Sequence, residues 1–182
     1  MRARSTAAAI GILGAAVLAL APATASASGL PSYQQWQADV QKALTGVNEY
    51  LDGARAEHTA IVLDIDNTAL ETHYHKGRAN KPVLDAAQHA QQLGMEVLIV
   101  SARAVGGEDS SMRQLSDAGY RPDRICLREH GEAKEDGKLR CRKEFTGDGL
   151  KITANIGNRS TDFHGGYFDR KFQLPDYGGE LS

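Results

Sequence analysis

Short β-prone runs recur along this chain with helix-patterned stretches between them, and that alternation is the feature that most limits the fold. Thr59 to Leu63 is the first run, Met95 to Val100 the second and Lys151 to Ile156 the third. The second is apolar but for Glu96, as expected of a strand buried on both faces. Between them lie helical patterns. Pro82 to Leu93 has a proline in its first turn and Gly94 as its stop, and Glu108 to Ala118 ends at Gly119. Arg124 to Leu127 reads as a short strand, Cys141 to Phe145 as a short helix and Phe172 to Leu174 as a last strand. Strands alternating with helices predict an α/β fold: a three-layer arrangement around a parallel sheet with right-handed crossovers. Upstream, Trp36, Val40, Leu44, Val47 and Leu51 recur at helical steps and predict one helix from Tyr33 to about Arg55, with Trp36 in the core. Thr68 to Lys81 reads as a long loop, and Glu129 to Arg140 as a polar, mobile connector.

The first 27 residues are expected to be a secretory leader. Arg2 and Arg4 precede an Ala/Leu/Val-rich run, then Pro22 and the small residues Ala23 to Ala27. Cleavage is expected near Ala25 or Ala27, giving a secreted chain with no membrane anchor. The organisation is then a helix over 28–58 and an α/β domain over 59–182. About 155 residues suffice for one core. The formal charge of −2 becomes more negative by two once Arg2 and Arg4 are lost. No basic patch appears, which argues against a nucleic-acid partner. In a secreted chain, Cys126 and Cys141 invite a disulfide.

In open parallel sheets, ligands bind at the carboxyl ends of the strands. Asp64 and Asp66 follow the first run, Ser101 and Arg103 the second, and Asn158 to Asp162 the third. Residues two apart on extended chain share a side, so Asp64 and Asp66 repel unless a cation lies between them. Mg²⁺ is the natural one, being commonly held by one or two carboxylates plus phosphate. A calcium loop is excluded, because Ala69 and His75 stand where its glycine and glutamate belong. His73 and His75 are expected near the mouth of the site. Asp85 and His89 read as a helix-surface pair, and Asn158-Arg159-Ser160 as a glycosylation sequon badly placed for use.

Asp64-Ile65-Asp66-Asn67-Thr68 after a hydrophobic strand resembles the first motif of phosphatases of the haloacid dehalogenase (HAD) superfamily. Ser101 matches the second motif, and Asn158 to Asp162 the acidic fourth. Phe172-Gln173-Leu174-Pro175-Asp176 is similar to the tail of the secreted acid phosphatases, the class B-like subfamily IIIB. The resemblance runs from about Thr59 to Tyr177. It implies an HAD-like, Rossmannoid sheet with a minimal cap and a Mg²⁺-dependent hydrolase of small phosphomonoesters. Asp64 would be the nucleophile, Asp66 the acid–base, and Ser101 and Lys138 phosphate-binding residues; Arg103, read from its place after the second run and not from the resemblance, either reaches the phosphate or is merely solvated. Lys143 is the alternative to Lys138. The metal set would be Asp64, Asp66, Asn158 and Asp162. Asn158 stands where the family usually has aspartate. That departure admits a second reading, a degenerate domain that binds metal or phosphate without turnover; a third, a phosphotransferase passing phosphate to an alcohol, has the same sequence signature as a hydrolase.

Overall fold

The computed structural model describes residues 29–181, so the expected leader and its cleavage site lie outside the described residues. In chain order the elements are α1 (Tyr33–Ala43), α2 (Val47–Ala54), β1 (Thr59–Leu63), β2 (Leu70–Glu71), β3 (Arg78–Ala79), α3 (Lys81–Gln92) and β4 (Glu96–Ala104). Then follow α4 (Glu108–Asp117), β5 (Arg124–Arg128), α5 (Lys134–Gly147), β6 (Lys151–Gly157), a 3₁₀ turn (Ser160–Asp162), β7 (Arg170–Gln173) and a second 3₁₀ turn (Tyr177–Gly179). A five-stranded parallel sheet runs β5-β4-β1-β6-β7. Strand β1 is central, so Asp64 emerges in the middle of the sheet's carboxyl edge, where ligands bind in such folds.

Side-chain alternation along the strands builds two apolar layers. Ile61, Leu63, Val97, Ile99 and Ile156 face one way and pack with Trp36, Val40, Leu51, Val83 and Leu115 from α1 to α4. Ala60, Val62, Leu98, Val100 and Ile152 face the other way, onto Cys141 and Phe145 of α5. Each large side chain so buried contributes roughly 1.5–3 kcal/mol. The expected α/β three-layer architecture is what forms.

Several local expectations need correction. The single helix expected from Tyr33 to Arg55 is two, broken around Gly46, whose φ of 75° is left-handed. The break lets the Tyr50 hydroxyl donate to the Thr153 carbonyl at 3.0 Å while Leu44 and Val47 both stay buried. The loop from Thr68 to Lys81 contains an antiparallel hairpin, β2–β3. Its strand character is disguised because Glu71 is buried, held at 2.8 Å by both the Tyr33 hydroxyl and His75 Nδ1. The supposed connector from Glu129 to Arg140 supplies half of α5. The buried face of that helix is Gly137, Lys138, Cys141, Arg142 and Phe145, so two of its five positions are charged residues that an apolar count misses. A disulfide joins Cys126 to Cys141, with Cα atoms 5.6 Å apart, and ties α5 to β5. Strand β4 continues past Ser101 to Ala104, so Ser101 lies within it and not at its end.

Candidate active site

Asp64 is positioned by the sheet itself. Its N–H donates to the Ile156 carbonyl at 3.1 Å, and its carbonyl accepts from Ala69 N at 3.1 Å, turning the chain sharply off β1. The side chain is buried, and its Oδ1 accepts from Lys138 Nζ at 2.8 Å. The same ammonium donates to Asp162 Oδ1. Lys138 is buried on the inner face of α5, while Lys143 is exposed with its Nζ 5.5 Å over the Tyr167 ring. The lysine beside Asp64 is therefore Lys138.

One ammonium thus faces two buried carboxylates. Burial pushes Asp64 up to about 6, with Asp162 and Asp66 adding to the rise and Lys138 opposing it. Lys138 is itself raised: burial acts against its charge, but Asp64 and Asp162 outweigh that. The cluster is short of positive charge, which is the electrostatic condition for drawing in a cation.

The residues present fit a hard divalent ion. Asp64 offers a carboxylate, Asp66 a backbone carbonyl, and Asn158 a buried amide oxygen whose one acceptance is a long 3.5 Å bond from Thr68 Oγ1. Oxygen donors of this kind suit Mg²⁺. Among the described residues no group of three or more His, Cys, Asp and Glu gathers as a metal cluster. Asp162 is differently employed. Its Oδ2 accepts from Arg159 N at 2.7 Å, and its Oδ1 accepts from Lys138, so both oxygens are engaged within the protein. It folds back over Gly157, where a Cβ would stand only 2.3 Å from Asp162 Oδ2.

Asp66 is bound to Arg103 in a fork, with Nη2 to Oδ1 at 2.8 Å and Nε to Oδ2 at 3.0 Å. Thr72 Oγ1 adds a third bond at 2.9 Å. Burial works to raise Asp66, but the Arg103 fork prevails and holds it below the ordinary carboxylate range. Arg103 is steadied in turn by Ser111 Oγ at 3.1 Å and Gln114 Oε1 at 3.2 Å.

A cavity of about 280 Å³ opens at this edge. Asp64, Asp66, Ser101, Arg103, Lys138 and Asn158 all line it, and Asp162 lies behind Lys138. Six further lining residues had not been singled out as site residues: Asn67, Ala102, Lys134, Arg159, Thr161 and Leu181. Asn67 sits inside the Asp-x-Asp-Asn-Thr string and could have been read from it. Leu181 carries no sequence signal at all. His73 and His75 do not line the cavity, His75 being turned onto Glu71. Asp85 pairs with Lys81 and His89 with Asp52, not with each other. Asn158 is 1% exposed, so its sequon is closed to glycosylation in the folded chain.

Residues 74–180 match the family described as HAD superfamily, subfamily IIIB (acid phosphatase). No curated protein matches the chain. Among solved structures, the chain is similar to a class C acid phosphatase from Bacillus anthracis with tungstate bound. The TM-score is 0.63 at 17% identity, covering 82% of this chain and 83% of that one. It is also similar to a chain of a Pnkp1/Rnl/Hen1 complex, with a TM-score of 0.56 at 17% identity. That match covers 64% of this chain and spans under half, 45%, of the other. At such identities these likenesses concern the fold.

Proposed function

The chain belongs to the acid phosphatases of HAD subfamily IIIB, and on that premise we propose that it hydrolyses small phosphomonoesters through a phosphorylated Asp64. The observation that carries the reading is the buried Asp64–Lys138–Asp162 arrangement at the end of the central strand, opening onto a cavity walled by Ser101 and Asn158. Asp64 Oδ2 attacks phosphorus, the ester bond breaks, and an acyl-phosphate forms, dividing one difficult displacement into two. Lys138 and Ser101 bind the equatorial oxygens, where the charge of the transferring group is spread. A phosphate dianion competes with Asp66 for Arg103. As the fork loosens, Asp66 becomes able to protonate the leaving alcohol and then to deprotonate the attacking water. Asp162 keeps Lys138 in place.

A divalent cation, Mg²⁺ by the hardness of the oxygen donors, would be held by Asp64, the Asp66 carbonyl and Asn158, and would offset repulsion between nucleophile and substrate. The cap is no more than the β2–β3 hairpin, which leaves the cavity open and suits small, exposed esters. The expected leader and the Cys126–Cys141 disulfide support export to an oxidising compartment.

The test is phosphate release from a phosphomonoester panel by the mature protein, with and without Mg²⁺, beside Asp64→Asn. Release that needs the cation and vanishes in the variant is the expected result. Equal release by both proteins refutes the mechanism. No release by wild type that still binds Mg²⁺ leaves a non-catalytic binding domain.

A further inference from the structure

We propose that the C-terminal segment Asp176–Leu181 is a positioning strap that locks two active-site loops together, acting through Arg159 and Asn67. The inference rests on the phosphatase reading of the same site. The two loops are 90 residues apart in sequence and carry the residues that must be held in register: Asp64 to Thr68 on one side, Asn158 to Asp162 on the other. Beyond the Thr68–Asn158 bond and the Lys138 bridge, one backbone oxygen also joins them. The Leu181 carbonyl accepts from Arg159 Nη2 at 2.8 Å and from Asn67 Nδ2 at 3.4 Å. Arg159 Nη2 also donates to the Gly179 carbonyl at 3.0 Å.

Both partners are committed at their other ends. Asn67 has a left-handed φ of 54°, and its Oδ1 accepts from Thr72 N at 3.1 Å and His73 N at 2.8 Å, fixing the chain that carries Thr72 to Asp66. The backbone N–H of Arg159 caps Asp162 at 2.7 Å, and Asp162 holds Lys138. The strap is anchored in its turn. Leu181 is fully buried and reaches the cavity wall, and the Tyr177 hydroxyl donates to Asp39 Oδ2 on α1 at 2.8 Å. A shift of the strap would move both loops at once, and displacement of reacting groups by about 1 Å can cost two orders of magnitude in rate.

The contact can be broken from either side in the full-length chain. Arg159→Gln removes the guanidinium while leaving its backbone cap on Asp162. Gly179→Ala acts from the strap: Gly179 has a φ of +90°, and an added Cβ would stand 2.8 Å from Arg159 Nη1. Each single variant is expected to lower kcat about tenfold with KM changing about twofold or less. The double variant should be no worse than the poorer single one, because both cut the same link. Arg159→Lys should recover part of the loss. A second readout is independent of turnover: amide exchange should quicken in both 66–72 and 158–162 in either variant. A purely structural strap would lower thermal stability while leaving kcat per folded molecule unchanged, and that result overturns the proposal. So do additive losses in the double variant, or faster exchange confined to one loop. If wild type itself proves inactive, the phosphatase reading falls and the exchange measurement alone decides the strap.

Discussion

Replacing Lys138 by methionine, close in length and without charge, should expose how the site is held together. Lys138 is 3% exposed and is the cation between Asp64 and Asp162, themselves 6% and 2% exposed. Removing one partner from a buried ion pair costs about 3–5 kcal/mol, since the charge left behind has neither water nor counterion. The cost should depend on pH. In the metal-free wild type, Asp64 already sits at about 6 against an ordinary 3.8. A carboxyl raised on folding gives stability that is fully present below its unfolded value and is lost as pH rises through the folded one. The gap corresponds to about 3 kcal/mol, lost between about pH 4 and pH 6. Without Lys138 that loss deepens, so Lys138→Met should be far more damaging at pH 7.5 than at pH 5, where protons stand in for the ammonium. Urea unfolding of both proteins at the two pH values, in a chelator and again in Mg²⁺, measures this. Mg²⁺ should return part of the stability at pH 7.5 and little at pH 5. A penalty under about 1 kcal/mol, equal at both pH values, would refute the argument that Asp64 and Asp162 depend on one buried cation.

Other expectations concern the chemistry and the scaffold. Asp66→Asn should slow hydrolysis strongly for alkyl phosphates and much less for aryl phosphates with good leaving groups, which need little acid help; rates on matched substrates show this. Asn158→Asp adds a charged oxygen beside the proposed cation and should lower the Mg²⁺ concentration for half-maximal rate; identical metal dependence would place Asn158 away from the ion. Cys126 and Cys141, 15 residues apart, should resist thiol reagents until reduced. The paired serine variant should lose about 2–4 kcal/mol in denaturant unfolding, without a comparable fall in the activity of still-folded protein.

The sequence alone determined the architecture and pointed to most of the candidate site, because both are written in local patterns. A strand covered on two faces has to be nearly all apolar, so Thr59 to Leu63 and Met95 to Val100 announce a parallel sheet, and ligand-binding residues of such a sheet follow the strands directly. That is why Asp64, Asp66 and Asn158 could be singled out before any coordinate, whereas Ser101 lies inside β4 and was marked only by closing the apolar run. Wherever a polar group is buried by pairing with a distant partner, the local pattern goes silent. Helix α5 was half hidden because Lys138 and Arg142 occupy its inner face, satisfied by Asp64, Asp162 and the carbonyls of Asp162, His164 and Gly166. Glu71 hid β2 in the same way. Only the tertiary structure decided that Asp162 spends both oxygens on Lys138 and Arg159, that Arg103 closes on Asp66, and that Leu181 spans two loops from the far end of the chain. Pairings of that kind depend on side chains meeting across tens of residues, and neither periodicity nor spacing records which acid a buried cation will meet.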